Sequence, residues 1–172
     1  GFSAESIDYL MDELSGCEEV NSHTVNVLFL MRNLRIEDLT TAKATDLRTL
    51  LLQVLEKFKE DDEHIYVFFE VFRSPWLKTV ENADAIYIVL KDSEHPNIVN
   101  HLVEYFTDTD CTEKYADVII EKGQYIHDIR KEGYTRIISR DNLYEAYTAF
   151  TTWGSVKKAL AQFKYEFENH LL

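Results

Sequence analysis

Apolar residues recur along this chain at a helical spacing for nearly its whole length. Ile7, Leu10, Met11 and Leu14 stand three or four apart, which puts them on one face of a helix over about Ser3 to Ser15. Ser3 is placed to cap its start, and Gly16 to end it in the left-handed conformation that glycine adopts without strain. A second helix over about Ser22 to Leu34 holds Val25, Val27, Leu28, Phe29, Leu30 and Met31. Its apolar residues wrap most of the circumference, so it is expected to be buried between neighbours. A third helix, about Thr45 to Glu60, carries the stripe Leu47, Leu50, Leu51, Val54, Leu55 and Phe58, with Glu56, Lys57, Lys59 and Glu60 mostly on the far side.

The fourth helix is expected over about Asp62 to Arg73, with Ile65, Tyr66, Phe68, Phe69 and Phe72 facing the core. Ser74-Pro75 reads as an N-cap followed by proline at the first helical position, opening a short segment from Trp76 to Val80. Asn82 can cap a helix over Ala83 to Leu90, although the run Ala-Ile-Tyr-Ile-Val-Leu would also suit a strand. His95-Pro96 opens a helix carrying Ile98, Val99, Leu102, Val103 and Phe106. The pattern continues through Thr112 to Glu132, which Gly123 can break, and through the helices around Leu143 to Phe150 and Ser155 to the end.

These elements define an all-α chain read as one domain. Two architectures fit. One is an irregular stack of helix pairs, with pairs at 22–60, 62–90, 97–132 and 141–171 whose lengths lie near those of HEAT and armadillo units. The likeness is one of helix rhythm. The other is a closed multi-helix bundle. Glycine and proline number only five and two, too few for a sheet protein with many tight turns.

Charge narrows the partners. The chain has 31 acidic and 18 basic residues, a formal charge of −13. That field repels phosphate backbones and anionic lipid and attracts basic surfaces, so bulk nucleic-acid or membrane binding is not expected. No apolar run approaches the roughly 18 residues of a membrane span. Cys17 and Cys111 are too far apart in sequence to suggest a zinc site or a disulfide framework, which fits a reducing, cytoplasmic or nuclear setting. Gly1-Phe2-Ser3 at one end and Leu171-Leu172 at the other read as cuts through a longer protein.

No reactive set emerges. The five glycines are too dispersed to cradle a phosphate. The six histidines include no HExxH pair. Asp108 to Glu113 resembles the start of a calcium loop but holds Glu113 where glycine is needed. Paired carboxylates fall in turns, where solvent equalises them. No catalytic residue, cofactor or metal is therefore assigned.

The candidate partner-binding residues are Arg130, Lys131, Tyr134, Arg136 and Arg140, a basic cluster around one tyrosine, together with Trp76 and Trp153 in or beside connections. The expected role is a non-enzymatic interaction module that binds a partner protein or peptide, with self-association left open. An alternative rests on Thr152-Trp153-Gly154-Ser155, which resembles the tryptophan–glycine turn of apoptosis-type helix bundles without the accompanying arginine. That resemblance implies a regulator capturing an amphipathic helix. An enzyme with a site assembled from distant residues is the third reading.

Overall fold

Every regular element that the computed structural model describes is helical. The described residues are 1–109, 111, 114, 115, 117–119, 121 and 122. Within them the order is α1 (Ala4–Ser15), α2 (Ser22–Met31), a 3-10 turn (Ile36–Asp38), α3 (Thr41–Phe58), α4 (Tyr66–Phe72), α5 (Val80–Leu90) and α6 (Pro96–Asp108). No strand occurs among them. The chain divides into two compact units, Gly1–Ile98 and Val99–Leu172.

Local chemistry sets the helix starts of the first unit. Ser3 caps α1 by accepting from the Ser6 N–H, Asn21 caps α2 through the Thr24 N–H, Thr40 caps α3 through the Lys43 N–H, and Thr79 caps α5 through the Asn82 N–H. Gly16 closes α1 with φ at −80°, in right-handed rather than left-handed geometry. The third helix starts a turn earlier than the apolar stripe suggests, because Thr41 to Ala44 form its first turn without contributing to the stripe. The fourth helix starts later, since residues 62–65 are turns. Ser74 and Pro75 open no helix. Residues 74–77 form a turn closed by the Leu77 and Lys78 N–H groups on the Ser74 carbonyl. Asn82 lies inside α5 rather than at its cap.

Burial follows the helical stripes. Ile7, Leu10 and Leu14 of α1, and Leu47, Leu51, Val54, Leu55 and Phe58 of α3, are all buried. Five residues of the short α4 are buried as well, including Phe68, Phe69 and Phe72. The Phe58 and Phe68 rings meet edge to face at 4.6 Å, a favoured geometry for aromatic quadrupoles. Helix α1 packs on α2 and α3, α2 packs on α4, and α3 packs on α5. Next-but-one neighbours thus touch along the first unit.

Polar groups tie these helices together where side chains go inside. Ser74 Oγ donates to the Arg32 carbonyl at 3.0 Å, joining the α4–α5 turn to the end of α2. Buried Asn82 donates to the Leu77 carbonyl at 2.7 Å and accepts from Arg48 Nε of α3. In the second unit, Val99, Leu102, Val103, Tyr105 and Phe106 of α6 are buried. Phe106 stacks on Tyr115 with centroids 4.1 Å apart. No helix of the described residues is long and apolar enough to cross a membrane.

Candidate functional site

Helix α2 presents a surface that its sequence does not announce. Val25, Val27, Leu28 and Met31 are buried, but Leu30 is 51% exposed and Phe29 is half-buried. The expectation that α2 is enclosed all round is therefore corrected. Its apolar residues exceed what α1 and α4 cover. The polar residues Ser22, Asn26 and Asn33 are exposed with Leu30, and they mark the outward face on which Leu30 sits.

Helix α4 extends this surface. Tyr66, expected in the core, is exposed, while Val67 and Val71 take buried places. The Tyr66 and Phe29 rings meet at 5.8 Å with planes inclined by 56°. The Arg32 guanidinium lies 5.2 Å from the Phe29 centroid, within cation–π range. Glu70, one turn beyond Tyr66 on the same outward face, pairs with Arg73 at 3.7 Å. Two adjacent helices thus bring two aromatic rings and an arginine together, and half-exposed Leu30 lies farther round α2.

The other end of α2 borders an open cleft of about 810 Å³. Asp12, Glu13, Glu18, Glu19, Cys17 and His23 are among the residues that line it. His23 Nε2 lies 2.6 Å from Glu13 Oε2. Cys17 Sγ donates to the Glu19 carbonyl at 2.8 Å and lies 3.1 Å from Thr24 Oγ1. The Lys57 ammonium donates to the Cys17 carbonyl, which pins the α1–α2 loop to α3. The lining is otherwise strongly anionic, with four carboxylates and no lysine or arginine. Among the described residues, no group of three or more His, Cys, Asp or Glu side chains is arranged to hold a metal ion.

The candidates assigned from sequence are mostly not placed. Arg130, Lys131, Tyr134, Arg136, Arg140 and Trp153 lie outside the described residues. Trp76 lies in the 74–77 turn, half-buried beside buried Leu77, and its enclosed Nε1–H has no hydrogen-bond partner among the described residues. Phe29, Leu30, Arg32 and Tyr66 were not candidates, because an apolar run does not show which face its neighbours leave open. No family model, no curated protein and no solved structure matches the chain.

Proposed function

We propose that this chain is a non-enzymatic interaction module, within the cell, that docks a partner protein or peptide on the outward face of α2 and α4. The observation that carries this reading is the Phe29–Tyr66 ring pair at the α2–α4 surface, with Arg32 over Phe29. Single exposed apolar residues are ordinary on a protein surface. Aromatic rings and an arginine gathered on adjacent helices have the composition of an interface centre. Rigid rings also lose little rotamer freedom when a partner covers them.

The helix order allows the same reading. Packing of α1 on α3 and α3 on α5, with α2 on α4, sets helices side by side in a way that a closed bundle and a stack of pairs both allow. In such a stack the second helices of successive pairs share one layer, and that layer offers a peptide-binding surface. Phe29 and Tyr66 come from α2 and α4, which pack on each other.

Affinity capture with the full chain and with Y66D, quantified by mass spectrometry, tests the proposal. Proteins held by the native chain and lost from Y66D support it. Proteins held equally by both overturn the assignment of the surface. No retained protein, beside turnover of a small molecule, overturns the module itself.

A further inference from the structure

We infer that the protein segment docking at the Phe29–Tyr66 rings presents a single aspartate or glutamate side chain to Arg32, next to a large apolar side chain laid on the rings. The inference rests on the proposed function above and specifies the chemistry of the partner.

Geometry brings the three groups together. The Arg32 guanidinium and the Tyr66 ring lie 5.2 and 5.8 Å from the centre of the same Phe29 ring. Arg32 and Tyr66 are exposed, and Phe29 is half-buried. Arg35, Arg48 and Arg73 each have a side-chain acceptor, in Asp38, Asn82 and Glu70. Among the described residues none accepts from the Arg32 guanidinium, whose contact is the Phe29 ring. A guanidinium seated over a ring keeps its N–H donors for an acceptor at its edge. That planar fork fits a carboxylate through two parallel hydrogen bonds.

Charge on these two helices runs against that of the chain as a whole. Helix α2 contains no carboxylate, and the one in α4, Glu70, is paired with Arg73 at 3.7 Å. Arg32 and Arg73 are the C-cap residues of the two helices, and the bond from Ser74 Oγ to the Arg32 carbonyl sets those ends side by side. The helix pair with its caps thus carries an excess of positive charge within a chain of net charge −13. The wider negative field opposes a strongly acidic partner, but it is screened beyond roughly 8 Å at physiological salt. One carboxylate delivered at Arg32 is therefore favoured, and a run of acidic residues is not. Apolar contact with the rings supplies most of the affinity, and the carboxylate fixes register and partner choice. The two side chains must share a face of the docked segment, three or four residues apart in a helix or two apart in a strand.

A random 16-residue peptide library displayed on phage and panned on the full chain tests this without presupposing a partner. Peptides that bind the native chain but not Y66D are kept, synthesised with a fluorescein label and measured by anisotropy. Tyr66 and Arg32 are exposed, so Y66D and R32Q are expected to fold, and circular dichroism verifies that they do. Y66S takes the place of Y66D if the aspartate lowers the helix content. Recovered peptides should carry one Asp or Glu at the stated spacing from a Leu, Phe or Trp. Their affinity should fall about three- to tenfold on R32Q. Neutralising the peptide's acid to Asn or Gln should cost as much on the native chain and nothing further on R32Q. Lysine in place of that acid should restore binding to R32E. Recovered peptides without an acid at that spacing, or losses from the two neutralisations that simply add, overturn the carboxylate inference and leave the docking face standing. Recovery of no Y66D-sensitive peptide overturns both. A dimer of the native chain in sedimentation equilibrium that Y66D dissociates assigns the rings to a second copy and overturns the inference as well.

Discussion

Asn82 of α5 and Arg48 of α3 stand 34 residues apart in the chain, and the Arg48 Nε–H donates to the Asn82 side-chain carbonyl. The Asn82 amide in turn donates to the Leu77 carbonyl, and the side chain is 1% exposed. One buried polar residue therefore fastens two helices and the turn before α5. Buried polar groups stabilise when their bonds are made and cost heavily when a partner is removed. Asn82→Ala deletes both bonds, and its expected cost is about 2 kcal/mol. A urea titration should show a lower midpoint with an unchanged slope. A midpoint equal to that of the native chain would contradict the role given to Asn82.

The aromatic core of the first unit should be less tolerant still. Phe68 is 1% exposed, meets Phe58 edge to face at 4.6 Å and stacks with Phe72 at 6.3 Å. Phe68→Ala removes these contacts and leaves a cavity, with an expected loss of about 3–5 kcal/mol. That is a large share of the roughly 5–15 kcal/mol that holds a typical domain folded. Thermal unfolding followed by circular dichroism should show a marked drop in Tm, whereas Phe68→Leu should recover much of it.

The two cysteines should differ in reactivity. Cys17 is half-buried at the cleft, while Cys111 is 1% exposed. Attack on a maleimide needs a thiolate that can reach solvent. Brief labelling of the folded chain, read by mass spectrometry of its peptides, should modify Cys17 and spare Cys111. In guanidinium chloride both should react. Equal labelling of the two in the folded chain would contradict the burial of Cys111.

Acid should act on the turn that leads into α3. The Arg35 backbone N–H donates to Asp38 Oδ2 at 3.2 Å and holds the Asp38 carboxyl below its ordinary value of 3.8. Desolvation opposes this, and the Arg35 guanidinium adds to it. A folded-state value below the unfolded one means that the ionised form stabilises the fold. The contribution is present above the ordinary value and is lost as pH falls through the folded one. A carbon-detected titration should place the Asp38 midpoint below 3.8. Asp38→Asn should weaken the chain near neutral pH and lose that effect in strong acid.

What could be read in advance depended on how far each signal was local. Helices α1 and α6 were legible because a capping residue or proline opens each, and one apolar stripe crosses it. The stripe of α3 is equally clear, but its first turn, Thr-Ala-Lys-Ala, carries no large apolar residue and so leaves no mark in the pattern. Ser74 has the form of a cap, since it stands directly before proline. Its hydroxyl is instead spent on the Arg32 carbonyl, 42 residues back. That partner exists only once the chain has folded.

The same division governs the candidate site. Sequence alone determined that this chain forms helices, because side-chain spacing and caps act within a few residues and need no partner. It also determined the acidic field, which sums over charges wherever they sit. Tertiary packing decided which apolar residues remain uncovered. Leu28 and Leu30 are equally greasy and two positions apart, yet Leu28 is 0% exposed and Leu30 is 51% exposed. The difference lies in where α1 and α4 stand beside α2, and burial depends on those neighbours rather than on the residue.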